Sequence, residues 1–397
     1  MPRASSMRNA AGSVAARPQL MRAMNERLML EQVRLSGPIS RTDLAKISGL
    51  SKPTVAVALT NLEHAGLVRV AGLRTGVRGP AAVLYEVRPE AGYVLGLDVG
   101  REYLRGALAD LTGAVRARAS RRVPTASAHT RVAELVTLAD EMAATAGIRR
   151  SRVTQVVVGS PGVYDPERAA LTMARNLPGW ERPDVVSELA QVFGRSTVVE
   201  NDVNLAALAE RDHGYGREAG SFCFVSVGTG IGMGLVVDGR LHRGRHGAAG
   251  EIAYLPIGDD ADAAEARKHG RLESVASAGA VVRAARSRGM RGSLTARKVF
   301  AAAADGNERA RSVVEEVARH VAEAIGSIVA VVDPELIVLG GGIGRAPGFA
   351  AVVAKALEAV FPVVPDIRVS ALGDDAVVDG SLAAGMEMAW QRILERS

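Results

Sequence analysis

Apolar residues recur at helical spacings along the first ninety positions, and short glycine-containing or polar breaks divide them into separate elements. Residues 1–18 mix Ser, Gly, Ala and Arg without period up to Pro18, the composition of a disordered tail. From Gln19 onward Leu20, Met24 and Leu28 predict the buried stripe of a helix that ends at Gly37-Pro38. Leu44, Ala45 and Ile47 predict the apolar face of a short second helix, and Gly49 permits a tight turn after it. Ser51 is placed to cap a third helix, Pro53 falls in its first turn, where a missing N–H costs nothing, and Val55, Leu59 and Leu62 continue its stripe. The helix closes at Gly66, and two strands follow, the second over Val83–Val87, separated by the glycine-rich Arg74-Thr-Gly-Val-Arg78-Gly-Pro. The pattern over 19–90 is that of a winged helix-turn-helix. Arg41, Thr42, Ser51, Lys52, Thr54 and Thr60 are its candidate DNA contacts on the helices, and Arg74 and Arg78 are those on the wing.

From Tyr93 the pattern changes to short apolar runs ending in glycines and acids: 93–98, 156–159, 198–202, 222–228 and 336–342, with Ala-rich helical stretches between them. Alternating strands and helices predict α/β layers, whose functional residues gather where strands end. Gly96 to Asp110 reads as a β-hairpin. Gly159-Ser-Pro-Gly162-Val is a turn, followed by Asn176-Leu-Pro-Gly-Trp, and Asn201 and Asp202 stand where a strand meets a helix. Asp202 is a candidate base or hydroxyl acceptor, although capping a helix is an equally good use of either residue. Gly228-Thr229-Gly230-Ile-Gly can bring backbone N–H groups close to a phosphate, or can be no more than a tight hairpin. Gly247-Ala-Ala-Gly-Glu251, Leu272-Glu273-Ser and Gly340-Gly341-Gly342-Ile-Gly complete the series.

Charge divides the chain at the same boundary. Residues 1–90 carry 13 Lys and Arg against 6 Asp and Glu, whereas the remainder carries 36 against 37. A basic front on a nearly neutral body fits an arm for a polyanion. The length of 397 residues calls for more than one domain. A single cysteine, Cys223, in an apolar run, excludes an internal disulfide and a multi-cysteine zinc knuckle, which fits a reducing cytoplasm. The longest apolar stretch, near Ile325–Leu339, is broken by Asp333-Pro-Glu, so a soluble cytoplasmic protein with no membrane association is expected.

Taken in order, these motifs resemble transcriptional regulators of the ROK family, named for its repressors and sugar kinases, of the xylose- and N-acetylglucosamine-repressor type. The resemblance runs from about Gln19 to the end of the sequence. It implies an α/β fold in which the winged helix-turn-helix precedes a two-lobed actin-like (ribonuclease-H-like, sugar-kinase) domain over 91–397 that binds ligand and dimerises. Asn201, Asp202, Glu251 and Glu273 fall on positions that hydrogen-bond sugar hydroxyls in family kinases, Asp202 being the base. Gly162 and Asn176 border the same pocket, and Tyr254 replaces a family histidine at its edge. Asp98, Gly100, Gly228, Thr229, Gly230, Gly341 and Gly342 fall on nucleotide positions.

Two departures from the pattern shape the expected function. Arg101-Glu102 stands where family kinases carry glycine and threonine, and a carboxylate there repels phosphates, so the nucleotide site is expected to be vestigial and the chain not to be an enzyme. Tyr254 and the lack of any cysteine between Gly250 and Glu273 leave no family zinc site, so no metal or other cofactor is expected; His242, His246 and His269 are expected to be solvated surface residues. The expected protein is a repressor of carbohydrate genes that binds double-stranded operator DNA and a sugar or sugar-phosphate, as a homodimer or tetramer. The alternatives are an active ATP-dependent sugar kinase with an appended DNA arm, and a front domain serving protein contacts alone.

Overall fold

The computed structural model describes residues 12–75, 81–123, 126–165, 167–174, 177–258, 266–267 and 269–396. The front unit consists of α1 (Gly12–Ser36), β1 (Ile39–Ser40), α2 (Arg41–Ser48), α3 (Lys52–His64), β2 (Val68–Arg74) and β3 (Ala82–Val87), its three strands in the order β1-β3-β2. Local chemistry sets the turn between α2 and α3. Ser40 caps α2 by accepting from the Asp43 amide, Gly49 ends that helix in the left-handed region, and Ser51 caps α3 by accepting from the Thr54 amide, with Pro53 in the first turn. Met29, Leu30, Val33, Leu44, Val55, Leu59, Leu62 and Tyr85 form the core of the unit.

Three expectations for this region need correction. α1 begins at Gly12, so the stretch before Pro18 is helical from that point, and of that stretch residues 1–11 lie outside the described residues. Leu20 and Met24 are 61% and 58% exposed, and the buried stripe starts later, at Met29, because the first half of α1 runs beyond the core that α2, α3 and β3 offer it. Ile47 is 55% exposed, because the two-turn α2 buries only Leu44 fully in that core.

The body holds two five-stranded sheets. The first has the order β10-β7-β4-β5-β6, from β4 (Tyr93–Val99), β5 (Tyr103–Asp110), β6 (Val115–Arg122), β7 (Val153–Ser160) and β10 (Thr197–Asn201). The second has the order β13-β12-β11-β14-β15, from β11 (Phe222–Val227), β12 (Ile231–Val237), β13 (Arg240–Leu241), β14 (Leu336–Gly340) and β15 (Asp366–Val369). Each is an antiparallel three-strand meander whose first strand pairs in parallel with a fourth, and that with a fifth, so one topology occurs twice. A small hairpin, β8 (Val163–Asp165) and β9 (Ala170–Thr172), rises from the end of β7.

Helices cover both sheets: α4 (Ala128–Thr145), α5 (Val185–Phe193) and α6 (Asp202–His213) follow strands of the first. α7 (Arg271–Ala276), α8 (Ala278–Ser287), α9 (Ala296–Ala304), α10 (Glu308–Val332), α11 (Gly341–Gly344) and α12 (Phe349–Glu358) belong to the second. The last helix, α13 (Ala376–Arg396), crosses back to pack on β4, β7 and α6. It lies on α6 at backbone distance: a Cβ at Gly380 would sit 1.7 Å from the Leu205 carbonyl oxygen. Further along, Leu382, Ala389 and Trp390 of α13 share one continuous core with Leu59, Leu62 and Tyr85 of the front unit, so the front unit and the body are packed together. Among the described residues no helix is long and apolar enough to cross a membrane.

Candidate functional site

The ends of β4, β7, β10 and β11 open into one cleft of about 1080 Å³ between the two sheets. Asp98 sits at its floor near the end of β4, buried, with Arg105 Nη1 at 3.4 Å from its Oδ2. Burial pushes the Asp98 carboxyl up to about 7, the neighbouring Asp202 adds to the rise, and Arg105 opposes it. Gly100, Arg101 and Glu102 form the turn into β5 and line the cleft. Arg131 of α4, fully buried, donates to the carbonyls of Gly100 (2.9 Å) and Arg101 (2.7 Å) and so fixes that turn from behind. Sequence reasoning missed Arg131, whose position among Val132 and Leu135 reads only as a break in an apolar face.

Asn201 and Asp202 meet the cleft at the junction of β10 and α6. Asn201 Oδ1 caps α6, accepting from the amides of Val203 (2.9 Å) and Asn204 (3.0 Å), while its Nδ2 donates to the Gly162 carbonyl (3.0 Å). Capping and cleft lining are therefore both served by this residue. Asp202 accepts from the Val203 amide through Oδ1 at 2.8 Å, and burial pushes its carboxyl up to about 6 against the pull of that bond. Gly162 borders the same pocket, and two residues before it Ser160 Oγ accepts from Nε1 of the fully buried Trp180 at 2.8 Å. Asn176 lies outside the described residues.

The second lobe faces these groups with Glu251, Tyr254 and Glu273. Gly250 makes the delivery of Glu251 possible, because its φ is +94° and a Cβ there would lie 1.9 Å from the Met233 carbonyl oxygen. Burial pushes Glu251 up to about 7, with Asp202 and Glu273 adding to the rise. Glu273 Oε2 accepts from the Ile231 amide at 3.0 Å, and its Oε1 lies 3.5 Å from His269 Nδ1. His269 is thus a cleft residue next to a carboxylate and not the solvated one expected, whereas His242 and His246 are exposed. Gly228, Thr229 and Gly230 join β11 to β12, and Gly341 and Gly342 open α11 beside them, so the glycine loops converge on the same cleft. Among the described residues no three His, Cys, Asp or Glu side chains form a metal-ligand group. Three carboxyls whose protons are held near neutral pH, beside amides and a phenol, can accept and donate to several hydroxyls of one polar ligand.

A second candidate surface lies on the front unit. Ser51, Lys52 and Thr60 of α3 are exposed and Thr54 is half-buried; Arg41 and Thr42 are exposed at the start of α2. Arg41 stacks over the Tyr85 ring at 5.1 Å and bonds its hydroxyl, and Arg74 pairs with Asp43 at 2.9 Å, so both cations have partners within the unit. Val57, 56% exposed on α3, is an apolar addition to this face. Arg78 lies outside the described residues.

Comparison with known proteins gives three kinds of match. A family model described as the ROK family matches residues 94–386. The chain is 26% identical over 385 residues to the xylose repressor of Caldicellulosiruptor bescii, covering 92% of this chain and 96% of that protein. It is 32% identical over 251 residues to the glucokinase of Halalkalibacterium halodurans, covering 58% of this chain and 76% of that enzyme. Among solved structures, a ROK family transcriptional regulator described as a homolog of the Escherichia coli MLC protein matches with a TM-score of 0.75 at 24% identity, over 95% of this chain and 98% of that one.

Proposed function

The chain belongs to the ROK family, and from that premise we propose that it is a transcriptional repressor whose hold on operator DNA is set by a sugar bound between its two lobes. One observation carries the reading: α13 grips the elements that present Asp98 and Asp202 and also enters the core of the front unit. A ligand that moves β4 and α6 relative to each other therefore moves the helix on which the front unit rests. The front unit acts as a winged helix-turn-helix, with α3 as the recognition helix and β2–β3 as the wing. Lys52 at the exposed start of α3 meets phosphate, and Ser51, Thr54 and Thr60 face the bases. The relatives support the reading, since the xylose repressor aligns through both parts of the chain.

Asn201, Asp202, Glu251 and Glu273 hold the sugar hydroxyls, with Tyr254 closing the edge. The effector shifts the balance between DNA-competent and DNA-incompetent forms, which calls for a coupling of about 1–3 kcal/mol between the sites. A homodimer on a two-fold operator supplies the contact length that a single recognition helix lacks. The effector is a sugar or a phosphorylated sugar.

A kinase activity is the second reading, favoured by Asp202, whose carboxyl is pushed up to about 6 in a cleft shared with the glycine loops. Glu102 in the turn opposes it, because a carboxylate there repels phosphate. The deciding experiment follows DNA affinity and ATP consumption together while a panel of sugars and sugar-phosphates is added to the purified chain and its own upstream DNA. A change in DNA affinity with one sugar and no ATP turnover is the expected result. Sugar-dependent ATP turnover makes the kinase reading primary.

A further inference from the structure

We propose that Glu200 and Arg243 form an ionic clip that sets the distance between the two halves of the sugar subsite, which makes both of them positioning residues. The inference rests on the cleft being the sugar site. Glu200 is the next-to-last residue of β10, immediately before Asn201. Its Oε1 accepts from the Asn201 amide (2.9 Å) and from Asn204 Nδ2 (3.0 Å), and its Oε2 takes Arg243 Nε at 2.5 Å. Arg243 belongs to the other lobe, just beyond β13. Its carbonyl accepts from the Ala249 amide at 3.1 Å, closing the loop that delivers Gly250 and Glu251. The backbone of one residue thus sets Glu251, and its side chain reaches across to the segment that sets Asn201 and Asp202.

The chemistry of the pair gives it a signature. Glu200 and Arg243 side chains are 14% and 46% exposed, so solvent ions reach the pair and weaken it as salt rises. A neutral sugar carries no charge of its own, so a clip of this kind transmits a salt dependence to sugar affinity that the sugar itself does not produce. Loss of the clip removes that part of the salt response along with the affinity. A residue serving stability alone changes the unfolding midpoint without changing this response.

The test titrates D-xylose and D-glucose into the full chain at about 0.05 M and about 0.5 M salt, using wild type, Glu200→Gln, Arg243→Met and Arg243→Lys. The clip predicts that Arg243→Met and Glu200→Gln bind sugar about twofold to fivefold more weakly at low salt, converge with wild type at high salt, and that Arg243→Lys recovers part of the loss. Equal affinity of wild type and Arg243→Met at low salt overturns the clip and leaves the cleft reading intact. If wild type binds neither sugar, amide exchange over 247–251 in the ligand-free chain decides the clip alone. Faster exchange in both charge-removing variants supports it, and unchanged exchange overturns it.

Discussion

The guanidinium of Arg34, on the first helix of the front unit, lies over the ring of Trp390, on the last helix of the body, 5.5 Å from its centroid. Trp390 is buried and sits in the same apolar cluster as Leu59, Leu62 and Tyr85. This contact joins the last helix of the body to the first helix of the front unit, and the same α13 is locked to α6 at Gly380.

Trp390→Ala is therefore expected to cost about 3–5 kcal/mol of stability, as for other buried aromatics, and Trp390→Phe considerably less. Denaturant titration of the full chain measures both. In Trp390→Phe the sugar-induced change in DNA affinity is expected to shrink while sugar affinity itself holds within about twofold, a difference of about 0.4 kcal/mol. An undiminished sugar effect on DNA places the coupling elsewhere.

The acidic cleft gives stability a definite pH dependence. The folded chain holds its protons more tightly than the unfolded chain at Asp202, raised to about 6, and at Asp98 and Glu251, raised to about 7. Their contribution to stability is fully present below about pH 4, the unfolded range, and is lost as pH rises through those folded values. Asp202→Asn and Glu251→Gln remove the loss. Each variant is expected to gain on wild type by about 1–2 kcal/mol between about pH 5 and pH 8, read from unfolding midpoints across pH. A difference that stays flat with pH contradicts the charge assignment. Sugar affinity of wild type is expected to rise over the same window, as the ionised carboxylates become stronger hydroxyl acceptors.

Arg131 gives a test of the turn at Gly100 and Arg101. Replacing it by Met removes both hydrogen bonds that its guanidinium gives to the carbonyls of Gly100 and Arg101, at a cost of about 1–3 kcal/mol in all. The unfolding midpoint of Arg131→Met is expected to fall accordingly, and a midpoint equal to wild type means that water or another donor takes over.

Lys52→Ala tests the recognition helix. Loss of one phosphate contact is expected to weaken binding to all DNA sequences alike and to lower the slope of log affinity against log salt by about 0.9. A loss confined to one DNA sequence assigns Lys52 to a base instead.

Much of this arrangement was legible in the sequence where local chemistry decides it. Ser51 with Pro53 announced the start of α3, Gly49 the turn before it, and Asn201 the end of a strand and the start of a helix. Periodicity misled where burial depends on what lies opposite: Leu20, Met24 and Ile47 keep helical spacing, yet no neighbouring core reaches them. Long-range pairs left no signal. Arg131 acts on a turn thirty residues away, Arg243 on a strand end forty-three away, and Arg34 on a ring at the far end of the chain. Such contacts are products of the assembled fold, and single residue types at those positions read as ordinary solvated charges.

The most direct test of the account is reciprocity between the two sites. Sugar affinity is measured by calorimetry on the full chain with and without saturating upstream DNA, and DNA affinity on the same preparation with and without saturating sugar. Linkage through α13 predicts that both affinities change by one common factor, of about 5-fold to 150-fold. Sugar bound with the same affinity whether or not DNA is present would contradict it.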